Sequence, residues 1–299
     1  MKFAAIDIGS NAVRLLIEEV FFDNESYTIK KVSFTRVPIR LGEDVFETGS
    51  ISEHKLNQLA KTMKAFWYLM DVHGIEHFRA CATSAMREAD NRNEVLRKIK
   101  QEANIDIEVI DGEEEAKLIF SNFFTQNVDP DGNYLYIDVG GGSTECTLIK
   151  DGQRITSKSF RIGTVRMLKG KVSKKDWVRA RKWVKKLVKE EDALLAIGTG
   201  GNINKIFKEA GKRPSETISD LEIEEMYNYI KSFSYDQRIT RLRMRPDRAD
   251  VILPASEIYF NLMRFANIQD MMVPKVGLSD GIVLQLFRQW QEELATDAD

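Results

Sequence analysis

The chain has 299 residues, 43% of them hydrophobic and 30% charged, with a formal net charge of −2. This length suits one large domain or two ordinary ones, and the composition is that of a globular protein, not a disordered or fibrous one. No apolar run is long enough to span a bilayer, and Asp7 interrupts the apolar start of the chain, which argues against a signal peptide. Cys81 and Cys146 lie in strand-like apolar stretches, which predicts two buried thiols in a reducing, cytoplasmic environment.

Charge is distributed unevenly along the chain. Residues 102–145 hold 11 acidic residues against one Lys, whereas residues 154–191 hold 14 Lys and Arg against three acidic residues. A basic face suits a polyanionic partner, although a charged helix face is also ordinary solvent-exposed surface. No basic sheet with interleaved aromatic residues is present, so nucleic acid is not an expected partner.

The first half predicts three strands and then alternating helices and strands. The strands are expected at 3–9, 13–22, 27–40, 77–84 and 105–110, and the helices at 50–70, at 91–103 and from Glu113 onward. In the first helix, apolar residues recur at three- and four-residue spacing, and Ser52 is placed to cap the N-terminus.

The pattern restarts in the second half. Strands are expected at 134–142, 143–153, 154–163 and 193–201, and helices at 173–191 and 281–295. Three meandering strands followed by alternating elements therefore occur twice, which predicts a duplicated α/β domain, with residues 1–126 and 127–299 as the two copies. The last helix could pack back on the first domain or lie between the subunits of a homodimer.

Two glycine-rich turns follow strands of similar sequence, "AIDIGSN" at 5–11 and "IDVGGGSTE" at 137–145. Such turns present backbone N–H groups that bind anions, and hydroxyls from Ser10, Ser143 and Thr144 add donors. Asp7 and Asp138 cannot bind phosphate directly, but they can hold Mg²⁺ that bridges to phosphate oxygens. The pair of turns therefore predicts a phosphate-binding cleft, and "GTGG" at 198–201 offers a third contact or a plain turn.

Two further motifs carry candidate catalytic groups. In "DGEEEAKLIF" at 111–120, one of three consecutive glutamates could serve as the general base that deprotonates water. Acids are also favoured at a helix N-terminus for electrostatic reasons alone, and periodicity does not choose among Glu113, Glu114 and Glu115. In "ATSAMREADN" at 82–91, Arg87 could bind phosphate or point to solvent.

Several other chemistries are excluded by the sequence. The three histidines are scattered and have no metal-ligand spacing, and there is no nucleophile elbow. There is also no P-loop and no dinucleotide-binding fingerprint. Direct attack by water with the help of a metal ion fits the remaining groups better than a covalent intermediate does.

These motifs, together with "RADVILPA" at 248–255 and "GLSDGIV" at 277–283, occur in an order that resembles the exopolyphosphatase and guanosine pentaphosphate phosphohydrolase family. The resemblance covers nearly the whole chain. It implies the fold of the actin, sugar kinase and Hsp70 superfamily, with two duplicated actin-like domains and an active site in the cleft between them. It also implies a Mg²⁺-dependent phosphoanhydride hydrolase.

The resemblance also implies roles for individual residues. Glu115, just before the alanine, corresponds to the general base, and Arg87 faces the phosphates. Metal binding falls to Asp138, Glu145 and Asp7. Phosphate binding falls to Ser10, Asn11, Arg14, Gly140, Gly141, Gly142, Ser143, Thr144 and Gly200. One departure lies close to the base, because Asp111 stands where the family usually has Ser and adds negative charge there.

The leading hypothesis is an exopolyphosphatase that releases terminal orthophosphate from inorganic polyphosphate. The first alternative is a guanosine pentaphosphate 5′-phosphohydrolase with the same chemistry. The second is a binder of polyphosphate or alarmone that performs no catalysis. A third, an ATP-using kinase of the same superfamily, lacks any recognisable acceptor motif.

Overall fold

The computed structural model describes residues 1–23, 26–121, 129, 132–188 and 194–297. The chain forms two compact units. Unit 1 contains Met1–Phe123 together with Gly277–Asp299, and unit 2 contains Phe124–Val276. The predicted boundary at residues 126 and 127 lies outside the described residues. None of the helices in the described ranges combines the length and apolar character that crossing a membrane requires.

Unit 1 is built on a five-stranded mixed sheet. Its elements are β1 (Lys2–Ile8), β2 (Val13–Asp23), β3 (Ser26–Val37), α1 (Leu41–Thr48), α2 (Glu53–Val72), β4 (His77–Ala82), α3 (Ser84–Glu88), α4 (Arg92–Ala103), β5 (Ile107–Val109) and α5 (Gly112–Ser121). The strand order is β3-β2-β1-β4-β5. The first three strands form an antiparallel meander, and β4 and β5 extend the sheet in parallel from β1.

Unit 2 repeats this plan and adds helices. Its elements are β6 (Tyr134–Val139), β7 (Thr144–Lys150), β8 (Gln153–Phe160), α6 (Thr164–Leu168), α7 (Lys174–Leu187), β9 (Leu195–Thr199), α8 (Gly201–Glu209), β10 (Thr217–Ser219), α9 (Asp220–Lys231), α10 (Tyr235–Thr240), α11 (Pro246–Ala249), α12 (Ile252–Ala266) and β11 (Asp270–Met272). The strand order is β10-β11-β9-β6-β7-β8.

The two sheets share one topology, which confirms the predicted duplication. In unit 2, β8-β7-β6-β9-β11 reproduces the order of β3-β2-β1-β4-β5, with an antiparallel meander and two parallel additions. β10 pairs antiparallel with β11 at the far edge and has no counterpart among the described residues of unit 1. Parallel strands need crossover connections, and in both units these contain helices, as the α/β pattern of the sequence predicted.

One predicted helix cap is confirmed, and the structure adds a second that was not predicted. The Ser52 side chain accepts a hydrogen bond from the Lys55 backbone N–H at the start of α2. Ser173 and Asp176 form a reciprocal capping box at the start of α7. Cys81 and Cys146 are both buried free thiols, as predicted. Burial raises the pKa of Cys81 to about 12.

Four elements differ from the sequence prediction. Strand β3 ends at Val37 and not at residue 40, because Pro38 has no N–H to donate to a ladder. Helix α1 was not predicted, since eight residues are too few to show a clear period. The short strands β10 and β11 were missed for the same reason.

The final helix, α13 (Leu278–Asp297), belongs to unit 1. It packs on β1, β2, β4 and α5. The ring of its buried Phe287 lies 6.0 Å from the Phe3 ring and 5.9 Å from the Phe22 ring. A Cβ at Gly281 would lie 2.0 Å from the Leu118 carbonyl oxygen, so glycine lets α13 approach the backbone of α5 directly.

Candidate active site

The first glycine turn connects β1 to β2 in unit 1. The Gly9 N–H donates to the Ala12 carbonyl at 3.1 Å, which closes the turn, and Ser10 within it is buried. Asp7 and Arg14 are paired across the antiparallel ladder, and the Arg14 guanidinium forms an ion pair with the buried Asp7 carboxylate. The Asp7 carboxylate at this turn therefore has its positive counter-charge supplied by a side chain, Arg14.

The N-terminus of helix α1 holds the first turn through backbone hydrogen bonds. The Gly42 N–H donates to the Ser10 carbonyl at 2.8 Å, and the Arg40 N–H donates to the Asn11 carbonyl at 3.1 Å. A Cβ at Gly42 would lie 2.9 Å from the Ser10 Cβ, so only glycine allows this approach. Sequence reasoning placed Ser10 and Asn11 in the turn but missed the contact with α1. The only sequence feature that indicates this contact is Gly42 directly after Leu41.

Arg87 and Glu115 lie together in unit 1. The Arg87 Nη1 atom is 3.6 Å from the Glu115 Oε2 atom and donates to the Ile110 carbonyl at 2.6 Å. Arg87 comes from α3 at the end of β4, and Glu115 from the first turn of α5 at the end of β5. Parallel neighbours end at the same sheet edge, which brings these two sequence-distant motifs side by side.

Asp111 caps helix α5, which explains a departure noted in the sequence. Its Oδ1 atom accepts from the Glu113 N–H at 2.9 Å and from the Glu114 N–H at 2.8 Å. Asp and Ser are both preferred at this position, because either side chain can accept from the free N–H groups of the first turn. The added charge of Asp111 is therefore directed to the positive end of the helix that carries Glu115.

The second glycine turn connects β6 to β7 in unit 2, and it is fixed through its carbonyl groups. The Gly140 N–H donates to the Ser143 carbonyl at 2.9 Å. The Gly140 and Gly141 carbonyls accept from backbone N–H groups of residues 164–166. The buried Arg166 Nε donates to the Gly142 carbonyl at 2.8 Å. Contacts on the carbonyl side leave the shape of this loop little freedom.

Gly163 and Arg166 were not singled out from the sequence. A Cβ at Gly163 would lie 2.4 Å from the Gly142 carbonyl carbon, so this position tolerates no side chain. Arg166 is only 3% exposed, although arginine is rarely buried unless it is paired or hydrogen-bonded. The available signal was the stretch "RIGTVR" at 161–166, where a glycine directly precedes a helix.

Asp138 and Glu145 face each other across the ladder of β6 and β7. Glu145 is 1% exposed, and its Oε1 atom accepts from the hydroxyls of Ser143 and Ser159, both at 2.7 Å. Asp138 accepts from the Thr199 hydroxyl at 3.2 Å. Two neighbouring carboxylates repel each other, and hydroxyl donors offset this repulsion only in part.

Thr199 belongs to a hydrogen-bonded group of buried hydroxyls behind Asp138. Its Oγ1 atom lies 2.5 Å from the Tyr136 hydroxyl, and its carbonyl accepts from the Tyr259 hydroxyl at 2.6 Å. Burial raises the pKa of both tyrosines, so both stay neutral donors. Gly200 follows with a φ of 106°, and a Cβ there would lie 3.4 Å from an Asp138 oxygen.

The two turns have the same construction and opposite electrostatics. Gly9 bonds to Ala12 as Gly140 bonds to Ser143. In each unit the aspartate before the turn faces one residue across the ladder. In unit 1 that residue is Arg14, whereas in unit 2 it is Glu145.

The residues of the second turn fit a divalent cation. Mg²⁺ binds oxygen ligands and is usually held by one or two carboxylates. Asp138 and Glu145 supply two carboxylates at adjacent ladder positions, with their orientation fixed by Thr199, Ser143 and Ser159. Asp7 remains a predicted metal ligand, and its carboxylate is engaged with Arg14.

Known proteins resemble this chain over most of its length. Exopolyphosphatase 1 of Mycobacterium bovis is 23% identical over 305 residues, covering 95% of this chain and 88% of that protein. A bifunctional 3-dehydroquinate synthase/phosphatase of Fusobacterium nucleatum is 37% identical over 200 residues, covering 62% of this chain and 30% of that longer protein. The crystal structure of an exopolyphosphatase from Cytophaga hutchinsonii has a TM-score of 0.84 at 23% identity, covering 97% and 98% of the two chains, which establishes a shared fold.

The family comparison covers nearly all of the elements described above. Residues 20–289 match the Ppx/GppA phosphatase family, a range that includes α5, both sides of the second turn and most of α13. Together with the duplicated mixed sheets, this match is sufficient for assignment: the chain belongs to the Ppx/GppA phosphatase family.

Proposed function

We propose that this chain is an exopolyphosphatase that releases terminal orthophosphate from inorganic polyphosphate by direct attack of water. The observation that carries the proposal is the pair of facing carboxylates, Asp138 and Glu145, beside a glycine turn fixed through its carbonyl groups. Relatives of similar length are named exopolyphosphatases.

In this proposal each catalytic and binding group has a defined role. Glu115 orients and deprotonates the attacking water, and Arg87 stabilises the negative charge that develops on the transferred phosphoryl group. The glycine turns bind phosphate oxygens through N–H and hydroxyl donors, with Ser10, Asn11 and Arg14 at the first turn and Gly140–Thr144 with Gly200 at the second. Direct water attack needs no covalent intermediate, which agrees with the lack of a nucleophile motif.

A divalent cation, Mg²⁺ or a similar ion, would be held by Asp138 and Glu145. When bound, it would neutralise charge on the phosphate oxygens and act as a Lewis acid. The hydroxyls of Ser143 and Ser159 orient one Glu145 oxygen, and Thr199 orients Asp138, so the chain fixes both carboxylates in advance. Such supporting contacts typically determine a large part of the metal affinity.

The test is phosphate release from long-chain polyphosphate, short-chain polyphosphate and guanosine pentaphosphate, with and without Mg²⁺. We expect Mg²⁺-dependent release that is fastest with polyphosphate. Glu115→Gln should lower kcat by about 10²- to 10⁴-fold, which is the usual contribution of a general base. Equilibrium binding of polyphosphate should stay within about threefold, because the amide keeps the shape of the side chain.

Glu113→Gln is the matched control, because Glu113 is exposed in the same first turn of α5. It should leave turnover unchanged. Full activity of Glu115→Gln would refute its assignment as the base. Faster turnover of guanosine pentaphosphate would make this chain a guanosine pentaphosphate 5′-phosphohydrolase, and tight binding without release would make it a non-catalytic binder.

A further inference from the structure

Arg79 of β4 joins four elements of unit 1. Its Nη1 atom donates to the Gln285 Oε1 atom of α13 at 2.6 Å, and its Nη2 atom donates to the Glu114 Oε1 atom of α5 at 2.7 Å. Its Nε and Nη2 atoms donate to the Glu108 carboxylate of β5, the shortest contact being 2.6 Å. The Arg79 side chain is only 15% exposed. We call these four residues the Arg79 network.

The register of the sheet brings the Arg79 network together. Arg79 and Cys81 point to the same face of β4, because side chains alternate along a strand. Glu108 is the ladder partner of Cys81, so it lies diagonally next to Arg79 on that face. Helices α5 and α13 pack on each other, and α13 also packs on β4. The network therefore lies where two strands and two helices of unit 1 meet.

Helix α5 depends on contacts with other elements for its orientation. It has only 10 residues, and a helix of that length is marginal in isolation. Its buried residues are Ala116, Leu118 and Ile119. Apolar packing is not directional, whereas a guanidinium binds carboxylates in a fixed planar geometry. The contact between Arg79 and Glu114 therefore adds a directional restraint on the rotation of α5 about its axis.

Consecutive glutamates of α5 pair with two different arginines. Glu114 pairs with Arg79, whereas the Oε2 atom of Glu115 lies 3.6 Å from the Nη1 atom of Arg87. Side chains of consecutive helical residues point about 100° apart, since the helix has 3.6 residues per turn. A rotation of α5 by that angle would exchange Glu114 and Glu115 at Arg87. While Arg79 holds Glu114, Glu115 is the glutamate that faces Arg87, a choice that the periodicity of the sequence left open.

We propose that Arg79 is a positioning residue for the proposed hydrolase reaction: it holds Glu114, fixes the rotation of α5 and thereby keeps Glu115 in place to deprotonate water. This proposal rests on the proposed function, because it needs Glu115 as the general base. Arg79 acts through Glu115 and not on the substrate. Glu108 and Gln285 hold the Arg79 guanidinium in turn. Arg79 should therefore contribute to kcat and not to substrate binding.

The first test replaces Arg79 by Met, which removes the charge and keeps an unbranched side chain that suits a largely buried site. We expect kcat for polyphosphate to fall by about 10- to 100-fold, since a misplacement of about 1 Å can cost about 10²-fold. KM should stay within about twofold, because the groups that bind substrate are intact. Arg79→Lys keeps the charge without the planar fork, so it should recover part of the lost turnover. An unchanged kcat in Arg79→Met would overturn the proposal.

Double variants show whether Arg79 acts through the proposed base. In a Glu115→Gln background, Arg79→Met should lower the residual kcat by less than about twofold, because the group that it positions is already missing. Glu114→Ala should reproduce the loss of turnover caused by Arg79→Met, and combining these two changes should add little. Multiplicative losses in either double variant would overturn the proposal, since Arg79 would then act on turnover by another route.

Arg264 of α12 provides a matched control in unit 2. It also binds two carboxylates of another helix, with its Nε atom 3.0 Å from Asp220 and its Nη2 atom 2.7 Å from Glu224, both on α9. Arg264→Met therefore breaks the same kind of contact in the other unit. Urea denaturation checks that both variants are folded, and kcat of the control should stay within about twofold of wild type. An equal loss of turnover in Arg264→Met would overturn the proposal, because a general loss of stability would then explain both results.

Hydrogen exchange tests the positioning of α5 without any substrate. We expect the backbone amides of α5 to exchange several-fold faster in Arg79→Met than in wild type, while those of α2 stay unchanged. If wild type releases no phosphate but α5 exchanges faster in the variant, the hydrolase proposal fails and the role of Arg79 in fixing α5 is supported. If wild type hydrolyses polyphosphate and the variant matches it in kcat and in exchange, the proposal for Arg79 fails alone.

Discussion

At the residue scale, the site depends on what faces each aspartate across its ladder. Arg14 gives Asp7 a partner of opposite charge, whereas Glu145 gives Asp138 a second carboxylate. A close pair of carboxylates is stable only when donors or a cation offset the repulsion. The hydroxyls of Ser143, Ser159 and Thr199 supply part of that offset and fix the geometry.

The first residue-scale prediction concerns Thr199. Thr199→Val keeps the shape of the side chain but removes the hydroxyl that donates to Asp138 and contacts Tyr136. We expect the Mg²⁺ concentration for half-maximal activity to rise by about 10- to 100-fold, the usual effect of losing a support for a metal ligand. The turnover number at saturating Mg²⁺ should fall less. Metal titrations of activity and calorimetry of Mg²⁺ binding would measure both.

Thr147→Val is the matched control for this change. Thr147 is equally buried in β7, and its hydroxyl bonds to Ser157 instead of an acidic group. An unchanged Mg²⁺ dependence in Thr199→Val, or an equal shift in Thr147→Val, would show that the Thr199 hydroxyl does not support metal binding.

The sequence predicted most of these residues but not their supports. Asp138 and the glycines are marked by a local pattern, because strand, acid and glycine are adjacent in sequence, whereas Glu145 was indicated only by the family resemblance. Thr199, Gly163 and Arg166 act on the second turn from distant elements. Such contacts depend on the strand order of the sheet, which the local pattern does not contain.

At the element scale, helix α5 is fixed at its N-terminus and along its buried side. Asp111 caps its N-terminus, and α13 packs on its backbone through Gly281. The position of Glu115 therefore depends on a helix more than 150 residues away in sequence. The sequence predicted that helix and raised its return to the first domain as one of two possibilities, but gave no indication of the contact with α5.

This packing leads to a prediction for Gly281→Ala. The added Cβ would lie 2.0 Å from the Leu118 carbonyl oxygen, so one of the two helices must shift. We expect a loss of about 1 to 3 kcal/mol in unfolding free energy, the usual cost of overpacking. Because the shift reaches the helix that carries Glu115, kcat should also fall. Urea denaturation and phosphate release would measure the two effects.

Gly277→Ala is the control for this helix. The nearest atom to a Cβ at Gly277 is an Asp280 carboxylate oxygen at 3.6 Å, which is ordinary contact. Gly277→Ala should change stability by less than about 1 kcal/mol. Equal stability of the two variants would contradict the close packing of α13 on α5.

At the scale of the whole molecule, the topology was predictable because the pattern of three strands and alternating elements occurs twice. The additional helices of unit 2 were not resolved individually, since α10 and α11 are only six and four residues long. The duplication also explains why two similar turns exist at all. What differs between the copies is the charge of a few side chains.

A prediction for overall stability concerns Glu18, buried in β2 beneath α13. Burial and the nearby Asp280 raise the pKa of Glu18 to about 7, with Lys31 opposing the shift. Burial also raises the pKa of Asp280. Between pH 4.5 and 7 the folded state therefore holds a proton at Glu18 that the unfolded state has lost, so unfolding free energy should decrease as pH rises through this window.

Glu18→Gln should remove most of this dependence, because the raised pKa of Asp280 contributes the remainder. At pH 8 the variant should be more stable than wild type by on the order of 3 kcal/mol, and at pH 4.5 nearly equal to it. Urea denaturation at several pH values would measure this, with Glu19→Gln as the control, because Glu19 points to the opposite face of β2. The unfolding free energy is compared between pH 5 and 8 in wild type, Glu18→Gln and Glu19→Gln. The same rise in all three proteins would contradict the assignment to Glu18.

The exchange of Arg14 for Glu145 between the two copies has a consequence for control of the enzyme. The Arg14 guanidinium is covalently part of the chain, so it is always present at the turn and no chelator can remove it. A dissociable ion in the other copy would follow its supply in the surroundings. The turn of unit 1 would then always carry its positive charge, whereas the turn of unit 2 would carry one only when divalent cation is available. Metal supply would therefore adjust turnover without any separate regulatory domain.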